Sequence, residues 1–147
     1  MPKKVLVIDD DVNTVDYLSL ALTRNGYDAI GAHDGKEGLE KAREFHPDLM
    51  VLDIMMPKKT GWVVFRQLRK NEELKSIPVI MLTAVSSVLQ EQDELAEEEP
   101  EFQDLRDLLR KGIQHMREDG VGRPEAFIDK PVDPEELVEK VQELIGS

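Results

Sequence analysis

The side chains best suited to chemistry in this sequence follow directly after short apolar runs. Asp9 and Asp10 come after the first run, and Asp53 comes after a later one. Carboxylates that lie close together repel one another unless a cation or a proton lies between them. Their hard oxygen atoms suit Mg²⁺, which takes one or two carboxylates, keeps water molecules and completes its octahedron with phosphate oxygens. If the apolar runs are neighbouring strands, the sequence predicts a magnesium site.

Two further polar groups follow apolar runs later in the chain. Thr83 offers a hydroxyl and Lys130 offers a positive charge, and both groups suit the oxygens of a phosphoryl group. An aspartate beside Mg²⁺ and a lysine can accept phosphorus, because the metal and the ammonium group neutralise charge on the group being transferred. The combination predicts phosphoryl transfer to an aspartate.

Hydrophobic patterning indicates the strands that would position these groups. Residues 5–8, 49–52 and 79–82 are continuous apolar runs, which are typical of parallel strands covered by helices on both faces. Weaker runs at 28–32 and 126–129 complete a predicted set of five strands.

Helical patterns alternate with these strands. The first helical pattern ends at Gly26, and Asp34 begins a second helix, with a capping box, that extends to about Phe45. A third helix is predicted over residues 61–70, and a fourth over residues 133–146, where an aspartate cap precedes a proline. Each predicted helix joins or follows a predicted strand.

The alternation of strands and helices predicts an α/β fold built on a doubly wound parallel sheet with right-handed crossovers. A chain of 147 residues, of which 40% are hydrophobic, fits a single domain over residues 1–147. In such sheets ligands bind at the carboxyl ends of the strands. The polar groups described above fall at those ends.

Four motifs follow the predicted strands: an acidic pair in residues 7–11, Asp-Ile-Met-Met-Pro at 53–57 followed by Gly61, a Thr-Ala pair at 83–84, and Phe-Ile-Asp-Lys-Pro at 127–131. With these motifs the chain resembles the receiver domains of two-component response regulators, the chemotaxis-type phosphoacceptor family, in which the second motif would be the phosphorylation loop. The resemblance implies a flavodoxin-like receiver fold with five parallel strands in the order 2-1-3-4-5.

The resemblance also implies a role for each acidic residue. Asp53 would be the phosphoacceptor that becomes an aspartyl phosphate. Mg²⁺ would be the cofactor, and its ligands would be Asp9, Asp10, Asp53 and the backbone carbonyl of Met55.

Three other residues would sense the phosphoryl group, again by resemblance. Thr83 and Lys130 would contact its oxygens, and the Lys130–Pro131 peptide would be cis. Phe127 would turn inward as Thr83 is drawn to the phosphoryl group, so that Thr83 and Phe127 form a conformational switch.

The interval from Thr83 to Lys130 is about twice what one helix and one strand require. We therefore predict an insertion over about residues 87–123, between the fourth and fifth strands. It combines an acidic run at 91–101 with an amphipathic helical pattern at 102–116. Because the family usually signals through the surface around its fifth strand, the insertion leaves the output surface undefined.

Composition narrows the classes of partner. The chain has 31 acidic and 19 basic residues and a net charge of −12, which argues against nucleic-acid binding. It has no cysteine, so disulfides and thiolate metal sites are excluded. Its apolar runs are too short for a signal peptide or a membrane span, so we expect a cytoplasmic protein without membrane contact.

The leading hypothesis is a stand-alone response regulator receiver in a phosphorelay. A histidine kinase or a histidine phosphotransfer protein would donate the phosphoryl group, and an unknown downstream effector protein would distinguish the two states. The protein would be a signalling phosphoacceptor and not an enzyme, apart from its own phosphotransfer and dephosphorylation.

Two alternatives stay open. In a haloacid-dehalogenase-type phosphatase, Asp9 would be the nucleophile and Asp11 the second acid of the motif, but Asp53 would have no role. Alternatively, the domain could be a binding scaffold that acts without phosphorylation.

Overall fold

A parallel sheet of five strands lies at the centre of the computed structural model, which describes residues 2–56, 60–83 and 122–146. The strand order is β2-β1-β3-β4-β5, and every neighbouring pair is parallel. The strands are β1 (Lys4–Ile8), β2 (Asp28–Ala32), β3 (Leu49–Asp53), β4 (Val79–Thr83) and β5 (Ala126–Asp129). The predicted fold class and strand order are confirmed.

Four helices in the described residues flank the sheet: α1 (Val12–Arg24), α2 (Gly35–Phe45), α3 (Gly61–Lys70) and α4 (Pro134–Ile145). Aspartate side chains cap three of them. Asp11, Asp34 and Asp133 each accept a hydrogen bond from a backbone N–H in the first turn. Gly26 follows α1 with a φ of 89°, a left-handed conformation that glycine adopts without steric cost.

The strands are apolar throughout because both faces of the sheet are buried. Alternate residues such as Leu6 and Met50 pack in one core with the apolar residues of α2 and α3. The residues between them, such as Val7 and Val51, pack in a second core with α1 and α4. Two helix layers therefore hold the strands in register and leave the carboxyl ends of the strands free for polar side chains.

Contacts at Glu125, directly before β5, fix where that strand joins the sheet. The Glu125 backbone N–H donates to Val79 O at 3.0 Å, and its Oε2 accepts from Val79 N at 2.6 Å. One guanidinium nitrogen of Arg69 lies 2.8 and 2.9 Å from the two Glu125 carboxylate oxygens. The Arg69 guanidinium also stacks over the Phe65 ring at 4.7 Å, so α3 and the two strands meet at one point.

The predicted insertion at about 87–123 lies almost entirely outside the described residues, so it stays a prediction. Among the described helices, none has both the length and the apolar character needed to cross a membrane.

Candidate functional site

Three carboxylates meet at the carboxyl ends of the neighbouring strands β1 and β3. One oxygen from each of Asp9, Asp10 and Asp53 lies within 4.8 Å of the others. The strand register places them there, because Ile8 pairs with Leu52. Asp9 and Asp10 follow Ile8 in the chain, and Asp53 follows Leu52. Asp9 is 0% exposed and Asp53 is 2% exposed, whereas Asp10 faces solvent. The predicted acidic cluster therefore exists as a mostly buried group.

Lys130 brings a positive charge into the same cluster. Its Nζ lies 2.8 Å from Asp9 Oδ2 and 3.3 Å from Asp53 Oδ2. The position of Lys130 follows from β5, because Asp129 pairs with Thr83 and the Lys130 N–H donates to Thr83 O at 2.8 Å. The Lys130–Pro131 peptide is cis, as the resemblance implies.

One ammonium group does not balance the negative charge around it. Burial, and then the charge of Asp9, raise the pKa of the Asp53 carboxyl from 3.8 to about 7, although Lys130 and the Met55 N–H act in the opposite direction. Burial alone would lower the pKa of Lys130, but its contacts with Asp9 and Asp53 outweigh burial and raise it. The cluster therefore favours the binding of another cation or a proton.

The backbone after Asp53 folds tightly around its carboxylate. The Met55 N–H donates to Asp53 Oδ1 at 3.2 Å, and the Gly61 N–H donates to Ile54 O at 2.9 Å. A Cβ atom on Gly61 would lie 2.3 Å from Asp53 O, so only glycine fits there. This close approach is the physical reason for the glycine that the motif requires.

Thr83 and Phe127 lie in different surroundings. Thr83 is buried at the carboxyl end of β4, one residue beyond the partner of Asp53 in the register. Phe127 lies further back on β5, is 41% exposed, and has its ring centroid 6.3 Å from that of Trp62. The structure therefore brings Thr83 to the edge that carries the acidic cluster and places Phe127 against the start of α3.

Asp11 serves a different purpose from its acidic neighbours. Its carboxylate accepts hydrogen bonds from the Asn13 N–H at 3.0 Å and from the Thr14 hydroxyl at 3.1 Å, so it caps α1. The Asp11 N–H in turn donates to Asp9 Oδ1 at 3.0 Å and orients that buried carboxylate. The second acid of the phosphatase motif is thus used to begin a helix.

The donor set fits Mg²⁺. The Oδ2 atoms of Asp9 and Asp53 are buried and accept no hydrogen bond of good geometry, although both lie beside the Lys130 ammonium. Asp10 adds a carboxylate that is open to solvent. Magnesium binds through one or two carboxylates and retains several waters, which matches two buried donors beside an accessible one. The Met55 carbonyl stays a predicted ligand.

Comparison with known proteins decides the family. The model of the response regulator receiver domain matches residues 5–102. The chain belongs to this receiver family. The receiver is 30% identical over 146 residues to the polar-differentiation response regulator DivK of Brucella ovis, and the match covers 99% of this chain and 98% of DivK.

Other relatives are longer. The receiver is 49% identical over 84 residues to the alkaline phosphatase synthesis transcriptional regulatory protein PhoP of Bacillus subtilis, covering 57% of this chain and 34% of PhoP. It spans about a third to a half of the length of the first curated relatives it matches.

Among solved structures, chemotaxis protein CheY4 of Vibrio cholerae is similar with a TM-score of 0.72 and 27% identity, over 98% of this chain and 99% of that one.

The sequence located the acidic cluster but missed two contacts around it. The packing of Trp62 on Phe127 and the ion pair between Arg69 and Glu125 both join residues far apart in the chain. Tryptophan at the start of a helix and arginine near its end are both common, so neither residue indicated its distant partner in the sequence.

Proposed function

We propose that this receiver accepts a phosphoryl group on Asp53 from a phosphohistidine of a histidine kinase or a histidine phosphotransfer protein, in a Mg²⁺-dependent reaction. The observation that carries the proposal is the buried Asp53 carboxylate, paired with Lys130 at 3.3 Å and placed beside two further carboxylates. Membership of the receiver family supports the same reaction.

In the transfer, an oxygen of the Asp53 carboxylate attacks phosphorus, a P–O bond forms, and the P–N bond to the donor imidazole breaks. The electron pair of that bond returns to the imidazole nitrogen. Bound Mg²⁺ would supply positive charge close to the transferring oxygens and would be held by Asp9, Asp10 and Asp53. Lys130 would neutralise a second phosphoryl oxygen, and its contact with Asp9 keeps the ammonium at the site.

The switch follows from the same geometry. A phosphoryl group adds about 1.5 to 2 negative charges and three acceptor oxygens beside Thr83 and Lys130. These oxygens would draw in the Thr83 hydroxyl, and movement at β4 and β5 would alter the environment of Phe127 and Trp62. A downstream effector protein would then distinguish the two states.

The remaining expectations follow from this role. The protein would act as a cytoplasmic signalling phosphoacceptor, with no turnover beyond its own phosphorylation and dephosphorylation. The net charge of −12 supports a protein partner in preference to nucleic acid.

Acetyl phosphate with Mg²⁺ tests the proposal without knowledge of the kinase. Intact-mass spectrometry should show one added phosphoryl group on the wild type and none on Asp53→Asn. Asp11→Asn is the matched control, because Asp11 caps α1 and asparagine caps a helix equally well. Equal labelling of Asp53→Asn and the wild type would refute the assignment.

A separate assay addresses the phosphatase alternative. Steady release of phosphate from phosphomonoesters, lost in Asp9→Asn and kept in Asp53→Asn, would replace the receiver mechanism with a phosphatase mechanism. We expect no such release.

A further inference from the structure

A groove between α2 and α3 has a composition unlike the rest of this acidic chain. Its volume is about 500 Å³. None of its lining residues belongs to the acidic cluster. The walls carry three basic side chains, one acid, two amides and one leucine: Lys36, Leu39, Glu40, Arg43, Gln67, Lys70 and Asn71.

The three basic side chains of the groove are exposed and form no ion pair with any described residue. Several other lysines of the described residues have an acidic partner. Lys41 lies 2.9 Å from Glu37, and Lys75 lies 2.7 Å from Glu72. Glu40 is the single acid of the groove, and it forms no ion pair with the described residues either. The groove therefore carries an excess of uncompensated positive charge.

Helix stability explains only part of this charge. Arg43 and Lys70 lie in the last turns of α2 and α3, where a cation interacts favourably with the helix dipole. Lys36 is the second residue of α2, where the dipole disfavours a positive charge. Its i, i+4 neighbour on α2 is Glu40, but the two side chains form no ion pair, and a lysine N-terminal to a glutamate is the weaker order, so the stability of α2 explains Lys36 only weakly.

We propose that this groove binds an acidic segment of a partner protein. Carboxylates of the segment would pair with Lys36, Arg43 and Lys70, which lie along two helices and suit an extended chain better than a compact ion. Leu39 is 6% exposed at the base of the groove and offers one small apolar contact. Small-molecule pockets are lined predominantly by apolar residues, and this groove is not. The surface needs no phosphorylation of Asp53, so it is independent of the proposed function.

Nucleic acid is the less suitable partner. Duplex binding requires many phosphate contacts, and a long polyanion would extend over a surface whose chain has a net charge of −12. At physiological salt, charges are screened beyond about 8 Å, so a short acidic segment would experience mainly the three nearby cations.

Fluorescence anisotropy tests the groove with a labelled, acetylated peptide of glutamates and aspartates around one central leucine. The full chain should bind it, with an affinity that falls as salt rises. Lys36→Gln, Arg43→Gln and Lys70→Gln combined should weaken binding about tenfold or more. Arg24→Gln, Lys75→Gln and Lys140→Gln remove the same total charge outside the groove and should change affinity less than about threefold. Circular dichroism and thermal unfolding confirm that both triple variants are folded.

Four results would overturn the proposal. The first is no saturable binding to the wild-type chain below about 1 mM peptide. The second is equal weakening in the two triple variants, which would mean that only overall charge matters. The third is binding that appears only after the seven acids of residues 91–101 are replaced by glutamine, which would assign the groove to the chain's own acidic run. A labelled DNA duplex that binds more tightly than the peptide, and depends on the same three cations, would identify nucleic acid instead.

Discussion

The charge imbalance around Asp53 predicts that Asp53→Asn stabilises the metal-free protein. The pKa of Asp53 rises from its ordinary 3.8 to about 7 in the folded chain. Since one pKa unit corresponds to about 1.4 kcal/mol, ionised Asp53 costs the fold up to about 4 kcal/mol. Asparagine removes this cost, which is already net of the attraction to Lys130. Because relaxation and water penetration around an ionised group reduce such a cost, we expect a gain of about 2 kcal/mol above pH 7. For a domain of this size, that raises Tm by about 6 °C.

The pH dependence of this gain has a definite sign. Because the folded-state pKa of Asp53 exceeds the unfolded-state value, the folded protein binds the proton more tightly. The free energy of unfolding of the wild type therefore falls as pH rises from about 4 to 7, and this fall is absent in Asp53→Asn. The difference between the two proteins should be small at pH 4 and complete above pH 7.

Urea unfolding with EDTA, followed by circular dichroism at pH 4.5, 6 and 8, measures this difference. Asp11→Asn makes the same chemical change at an exposed helix cap and should alter stability by less than about 0.5 kcal/mol. Added Mg²⁺ should stabilise the wild type and narrow the gap to Asp53→Asn, because the cation binds the folded state. An Asp53→Asn protein less stable than the wild type at pH 8, or a gain that does not vary with pH, would refute the reasoning.

Three further predictions rest on other contacts of the site. Lys130→Met should reduce the rate of phosphorylation by acetyl phosphate about tenfold or more, because it removes the ammonium group beside Asp53. The rate is measured as phosphoryl labelling in reactions quenched at set times, and an unchanged rate would contradict the prediction. Gly61→Ala should destabilise the fold by about 2 kcal/mol or more in urea, since its Cβ would clash with Asp53 O, whereas the solvent-exposed Val63→Ala should cost less than about 1 kcal/mol. Phosphorylation should change the fluorescence of Trp62, whose ring lies beside that of Phe127, and Phe127→Leu should reduce that change at least by half. A full response in Phe127→Leu would show that the fluorescence change does not depend on the Phe127 ring.

The strands and the acidic cluster were predictable because their signals are local. The strands at residues 5–8, 49–52 and 79–82 lie buried on both faces, so each appears in the sequence as an unbroken apolar run. Parallel strands end at one edge, which makes the residues after them neighbours whatever lies between. That rule, together with the adjacency of the first and third strands that the resemblance implied, placed Asp9 near Asp53, and the structure shows their carboxylates together.

The contacts that surround the cluster were not predictable, because they join distant residues of ordinary type. Nothing in the sequence pairs Arg69 with Glu125, since arginine near a helix end is common for other reasons. The proximity of Trp62 and Phe127 depends on the angle at which α3 packs beside β5, and hydrophobic periodicity does not determine that packing angle. The unequal burial of Asp9 and Asp10 also depends on packing, because alternation directs adjacent side chains to opposite sides but does not determine which side is covered.

The contacts at Glu125 make the position of Lys130 independent of the length of the connection that precedes β5. Hydrogen bonds to Val79 and the contact with Arg69 hold the entry to β5 through groups that belong to β4 and α3. Closing a longer loop costs little, about 0.6 kcal/mol for each doubling of its length. Evolution or an engineer can therefore lengthen the connection between Thr83 and Glu125, and a reporter domain inserted there should leave the lysine within reach of its aspartates.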